Sequence, residues 1–234
     1  MDNEFCGKTA LITGGATGIG LGVARAMAAA GMRVVAAGVD VSTDDSGIDF
    51  RHLDVTSQQQ VQALAATFDR LDILVNCAGI IRRDAEYEIP TFLEVLDVNL
   101  AGVMRLCTAC RPLLRESRGC IVNTASMLSF FGGPRVPAYT ASKGAIAQLT
   151  KSLAVAWAPE GIRVNAVAPG WISTPLTQAL RDDPQRSAPI LSRTPMARWG
   201  TPEDVAGPVI FLCSKAAAFI TGVILPVDGG YSIA

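Results

Sequence analysis

The chain has a single histidine, His52, and that scarcity removes much chemistry at the outset. Histidine is the usual general base at neutral pH and a frequent metal ligand. His52 also stands far in sequence from any nucleophile-like motif, so no histidine-based triad is expected. Charge is sparse as well. Only 18% of residues are charged and the formal net charge is −1. That balance offers no polyanion-binding surface, and no nucleic-acid partner is expected. No uninterrupted apolar run reaches membrane-spanning length, and no charged-then-apolar leader is evident. A cytoplasmic protein without a membrane partner is the expectation. The six cysteines include Cys107-Thr-Ala-Cys110, the spacing of a redox or metal motif. It lies inside an apparent helix from Leu100 to Ser117 with no second ligand pair, so packing is expected and no metal.

What is present is apolar residue, half of the 234. That suits one α/β domain around a parallel sheet whose strands are covered on both faces. Strand and helix signals alternate to the end without a linker long enough to divide the chain. Lys8 to Thr13 reads as a strand, Leu21 to Ala30 as a helix ended by Gly31, and Met32 to Ala37 as a second strand. Further strands are expected at Phe50–Leu53, Asp72–Asn76, Cys120–Thr124, Arg163–Ala168 and Ile220–Val227. Helices are expected from Thr56 or Ser57 to about Phe68, from Thr91, from Leu100, over Pro137–Trp157, and from Thr201-Pro-Glu-Asp204.

Two local patterns carry chemistry. The first strand runs into Gly14-Gly-Ala-Thr-Gly-Ile-Gly20 and then a helix. Gly14 permits a tight turn, while Gly18 and Gly20 let backbone approach a pyrophosphate at the helix amino end. The second is Tyr139 and Lys143, one helical turn apart, with Ser126 just after the Cys120–Thr124 strand. A phenol is a weak base, with a free pKa of about 10. A lysine on the same helix face favours its phenolate. A hydroxyl to hold a carbonyl oxygen and a tuned phenol to move its proton are what alcohol–ketone chemistry requires. Taken alone, such a Tyr–Lys pair is also common on ordinary helices.

Thr13-Gly14, Gly18-Ile19-Gly20, Asn76-Cys77-Ala78-Gly79, Asn99, Ser126, Tyr139-x-x-x-Lys143 and Pro169-Gly170 occur in an order that resembles the short-chain dehydrogenase/reductase family. The likeness covers essentially the whole chain. Cys77 departs from it, standing where a second Asn is usual. The resemblance implies a single-domain Rossmann fold over residues 1–234. It implies a seven-stranded, mostly parallel sheet in the order 3-2-1-4-5-6-7, with a substrate lid at about 174–198. It implies catalytic roles for Asn99, Ser126, Tyr139 and Lys143. It also implies a nucleotide site built from Gly14, Thr17, Gly18, Ile19, Gly20, Asp54, Val55, Asn76, Ala78, Gly79, Tyr139, Lys143, Pro169, Gly170, Ile172 and Thr174. A homotetramer assembled through the long helices and last strand is implied too.

The acidic position expected after the second strand is occupied by Gly38, with Asp40 two residues on. A carboxylate there accepts from the ribose hydroxyls and repels a 2′-phosphate. With no basic residue in the glycine turn, NAD is expected over NADP, though Asp40 also reads as an ordinary loop residue. Several stretches, Ala78–Arg83, Ala125–Phe130, Gly132–Pro137 and Arg186-Ser187 through Ala197–Gly200, resemble the members of that family that act on deoxy-keto sugar acids of uronate and gluconate breakdown. Substrate-binding roles then fall to Ser126, Tyr139 and Arg135. The Arg135 guanidinium could clamp a carboxylate by paired hydrogen bonds. Arg181, Arg186 and Arg193 lie in the lid and read as surface arginines. Two rivals stay open: a dehydrogenase for another polyol or a 3-oxoacyl thioester, and a non-catalytic nucleotide-sensing protein on the same fold.

Overall fold

Leu11 and Ile12 are neighbours in the first strand, yet they belong to different cores. Successive strand side chains point to opposite faces, and this chain fills both faces with apolar residues. The computed structural model describes residues 4–40 and 47–234. Among them, the first strand β1 (Thr9–Thr13) is followed by α1 (Gly18–Ala29), β2 (Arg33–Gly38), β3 (Asp49–His52), α2 (Gln58–Ala65) and β4 (Ile73–Asn76). Then come α3 (Ile89–Leu96), α4 (Gly102–Ser117), β5 (Cys120–Thr124), α5 (Pro137–Trp157) and β6 (Arg163–Pro169). The chain closes with α6 (Gln178–Arg181), α7 (Pro184–Arg193), α8 (Pro202–Cys213) and β7 (Ile224–Val227).

The seven strands form one sheet in the order β3-β2-β1-β4-β5-β6-β7. All six pairings are parallel, with Leu11 opposite both Val35 and Leu74. On one face Leu11, Val35, Leu74 and Ile121 pack with Val61 and Leu64 of α2, Leu106 of α4, and Ile146 and Leu153 of α5. On the other, Ile12, Val34, Val75 and Val122 pack with Val23 and Met27 of α1 and with Val205, Val209 and Leu212 of α8. Each such side chain contributes roughly 1.5–3 kcal/mol when fully buried. The order reverses at β1 and β4, so a crevice opens at the carboxyl ends of those strands.

Local signals explain most boundaries. Ser57 caps α2, its hydroxyl accepting from Gln60 N at 3.3 Å. Thr201 and Asp204 form a reciprocal capping box on α8, and Arg198 holds the Asp204 carboxyl down to about 2. Three expectations shift. The α2 helix ends at Ala65, short of Phe68, and β7 begins at Ile224 after an irregular stretch. The long helix starts at Gly102, because Asp97–Ala101 forms a π-helical turn joined to α3. Residues 41–46, part of the polar connection expected between Gly38 and Asp49, lie outside the described residues. Cys107 and Cys110 are both fully buried core thiols, pushed up to about 12 mainly by burial. Among the described residues no helix is long and apolar enough to cross a membrane.

Candidate active site

Ser126 follows β5 by two residues and caps a short 3-10 turn, Met127–Ser129, accepting from Leu128 N at 3.1 Å. Ser129 Oγ donates to the carbonyl of Lys143 at 2.6 Å, which ties this turn to α5. Tyr139 and Lys143 sit one turn apart near the start of α5. The Lys143 ammonium is buried, donates to Thr124 O at 2.7 Å, and stands 5.5 Å from the Tyr139 ring centroid. Burial pushes Lys143 down to about 8, so it is still mostly protonated at neutral pH. Desolvation raises the Tyr139 phenol above its ordinary value. The Ser126 hydroxyl and the Arg83 guanidinium pull it back, and Glu86 pushes it up again.

Asn99 lies in the π-helical turn and is completely buried. Its side chain is committed to Ile80, accepting from Ile80 N at 2.8 Å and donating to Ile80 O at 2.9 Å. It also reaches Ser142 Oγ on α5 at 3.2 Å. A one-residue π insertion is a recurrent way to aim a side chain at a functional site. Here it fixes the strand-end segment that begins at Ala78.

Two cavities meet at this centre. The first, about 410 Å³, is walled by Gly14, Thr17, Gly18, Ile19, Gly20, Asp40, Asp54, Val55, Ala78, Gly79 and Thr174, together with Cys77 and Thr124. Its residues fit a dinucleotide. Thr17 makes no side-chain cap to α1, so the amino-end N–H groups of that helix face the cavity without a side-chain acceptor. A Cβ on Gly20 would lie 2.1 Å from Gly14 O, and one on Gly14, at φ +63°, would lie 2.8 Å from Ala78 N. Only glycine allows that close cradle. No lysine or arginine lines this cavity among the described residues; Asp40 and Asp54 do.

The second cavity, about 390 Å³, is walled by Ser126, Tyr139, Pro169, Gly170, Ile172 and Thr174 and by Arg83, Arg135, Arg186 and Arg193. Burial holds Arg83 below its ordinary value, and Arg186 depresses it further, so the two guanidinium groups feel each other. Arg193 lies over Tyr231, 4.4 Å from the ring centroid, and over Phe131 at 5.3 Å.

The chain matches the family model described as enoyl-(acyl carrier protein) reductase over residues 14–232. It is similar to the 2-dehydro-3-deoxy-D-gluconate 5-dehydrogenase of Bacillus subtilis, at 45% identity over 96% of this chain and 94% of that protein. The chain is a short-chain dehydrogenase/reductase. The Escherichia coli protein with the same description as the Bacillus relative is 40% identical over 96% of this chain and 95% of its own. Among solved structures, a gluconate 5-dehydrogenase from Burkholderia cenocepacia in complex with NADP and tartrate superposes with a TM-score of 0.92. It is 36% identical and covers 99% of this chain and 98% of its own. The dehydrogenase is thus an NAD(P)-linked oxidoreductase with a seven-stranded Rossmann sheet.

Two expected positions of the dehydrogenase differ in what their side chains do. Asn76 is turned into the core, donating to Asn123 Oδ1 at 2.9 Å, because it ends β4 on the face covered by α4. Arg135 stands at the exposed rim with its guanidinium paired to Asp84, Nε at 2.8 Å, so its hydrogen-bonding fork is already engaged. Among the described residues, Arg83, Arg186 and Arg193 face the cavity with no carboxylate ion pair. Arg181 bonds to Gln178 on its own helix and does not reach it. Arg83 lies in the stretch Ala78–Arg83, where nothing in the sequence alone marks it for a role. Its signal in the sequence is only the Arg-Arg doublet that follows Ala78-Gly-Ile-Ile.

Proposed function

We propose that the dehydrogenase interconverts a secondary alcohol and a ketone on a deoxy-keto sugar acid, using NAD(H). The observation that carries this reading is the pairing of Ser126 and Tyr139 with Arg83 and Arg186 in one cavity. Two guanidinium groups without an ion-pair partner favour an anionic substrate, and a carboxylate accepts paired hydrogen bonds from them. The naming of the Bacillus and Escherichia relatives supports the same class.

In oxidation, Tyr139 takes the proton of the substrate hydroxyl; in reduction it returns one to the ketone oxygen. Ser126 donates a hydrogen bond to that oxygen in both directions. A nicotinamide cofactor held by the first cavity, with its reactive end at the second, would supply or accept the hydride. Lys143 would hold the ribose and steady the phenolate, and Asn99, besides anchoring Ile80, would position a water that links Lys143 to solvent. Gly14, Thr17, Gly18, Ile19, Gly20, Asp40, Asp54, Val55, Ala78 and Gly79 hold the dinucleotide, with Pro169, Gly170, Ile172 and Thr174 at its reactive end. NAD is the proposed partner because, among the described residues, the charged side chains lining the first cavity are the carboxylates Asp40 and Asp54. The solved relative with NADP sets the competing case.

We read residues 1–234 as one domain with a lid at 174–198, working in the cytoplasm. Six free thiols suit a reducing compartment. A homotetramer accounts for the exposed Met104, Val155, Phe211 and Phe219 on and near α4, α5, α8 and β7. The test is the nicotinamide absorbance change with NAD and NADP against 2-dehydro-3-deoxy-gluconate, gluconate, neutral polyols and a 3-oxoacyl thioester. NAD-linked turnover confined to sugar acids is expected. Turnover only on polyols or the thioester discards the sugar-acid reading, and NADP activity equal to NAD discards the cofactor preference.

A further inference from the structure

Glu86 has 0% exposure, although it sits only three residues after the cavity arginine Arg83. Burying a carboxylate is costly unless its oxygens are satisfied. Both are: one oxygen accepts from Arg82 N and the other from Tyr139 N, each at 2.8 Å. The second bond is unusual in its reach. Tyr139 N is one of the unpaired first-turn donors of α5, and the cap residue Val136 offers no side-chain acceptor. The cap therefore comes from a carboxylate 53 residues upstream, where the positive helix end also favours it.

The same turn is stitched to the cavity wall from its other side. Asp84 N donates to Arg135 O at 2.9 Å, and the Tyr87 hydroxyl donates to Pro134 O. Asp84 adopts a left-handed backbone, φ +67°, which a non-glycine residue holds only when its surroundings fix it. Arg83 leaves this turn toward the cavity that Tyr139 also lines.

We infer that Glu86 is a positioning residue of the reaction: as the borrowed cap of α5, its carboxylate fixes the Tyr139 phenol and the Arg83 guanidinium relative to each other across the substrate cavity. This rests on the roles proposed above for Tyr139 and Arg83. A neutral side chain of the same size would fill the space but would lose an acceptor and the charge. Glu86 also acts on the phenol through that charge, raising it. The other groups facing the phenol are Ser126 after β5, Lys143 on α5, and Arg83, itself beside Arg186 of α7 and the Arg135–Asp84 pair.

The experiment compares Glu86→Gln and Glu86→Asp with the wild type in alcohol oxidation across pH. For Glu86→Gln, kcat should fall by roughly tenfold or more, the scale of a misplaced catalytic group. Its rising pH limb should move to lower pH, because removing a negative charge lets the phenolate form earlier. Glu86→Asp keeps the charge but shortens the reach, so the limb should return toward wild type while kcat stays reduced. If the Gln variant fails to fold, the Asp variant carries the test, and wild-type kcat in it overturns the proposal. An unmoved limb in the Gln variant overturns it whatever happens to kcat, since a merely structural carboxylate would not move a titration. Tyrosinate absorbance, with Tyr139→Phe as the blank, follows the same titration without turnover. A wild type inactive on sugar acids therefore refutes the substrate reading while leaving this one to be judged.

Discussion

The two cavities are similar in size but built from different materials. The first is a backbone site: glycines, strand ends and the open amino end of α1, with carboxylates at its edge. The second is a side-chain site: a phenol, a serine hydroxyl and arginines delivered by two loops and by α7. Backbone sites fail when something is added, because they depend on closeness. Side-chain sites fail when something is removed, because they depend on particular groups.

That contrast can be broken at four points. Tyr139→Phe removes one oxygen from the second cavity. Turnover should fall by about 10²–10⁴-fold, the usual contribution of a general acid–base group, while dinucleotide affinity measured by fluorescence stays near wild type. Lost affinity would mean that the two cavities are not separable. Arg83→Met should lower kcat/KM for a sugar acid by roughly 10–100-fold, given about 1.5–3 kcal/mol for a hydrogen bond to a charged group. Any activity on a neutral polyol should be spared; an equal loss on both would place Arg83 in the scaffold.

Gly20→Ala adds one carbon to the first cavity, where a Cβ meets Gly14 O at 2.1 Å. Crowding of this kind costs about 1–3 kcal/mol, so thermal stability and NAD affinity should both drop. Unchanged values would show that the cradle yields more than its geometry implies. Asp40→Ser should have the smallest effect. Asp40 is exposed at the cavity mouth, and its loss should narrow the preference for NAD over NADP by less than about tenfold, the scale of an exposed charge interaction. No change in the ratio would remove Asp40 from cofactor choice.

The same contrast explains what could be read in advance. The glycine turn is local: β1, the turn from Gly14 and α1 follow one another, so its conformation is encoded in one contiguous stretch, while its approach to Ala78 is tertiary. Tyr139 and Lys143 are local too, one turn of α5 apart. The strand order 3-2-1-4-5-6-7 followed from resemblance, since periodicity says which residues are buried and not which strands touch. Arg135 lines the cavity as expected, but a residue 51 positions away in sequence engages it there. Asp84 pairs with its guanidinium at the rim, while Arg83 lines the same cavity with no ion pair among the described residues. Arg186 and Arg193 read as surface because a short helix shows its charged face without saying what lies opposite. The π-helical turn moved the start of α4 because one extra residue per turn leaves no compositional mark. Asn76 matched a nucleotide motif, yet its side chain serves the buried chain to Asn123 and Thr150.

Ile19, Thr124, Thr174 and Leu176 belong to the walls of both cavities. Those four side chains are a boundary common to the two spaces where they meet. A molecule resting on those four residues from one side becomes part of the boundary seen from the other. An occupant of the first space thereby supplies part of the floor of the second, and a change at any of the four side chains alters both at once.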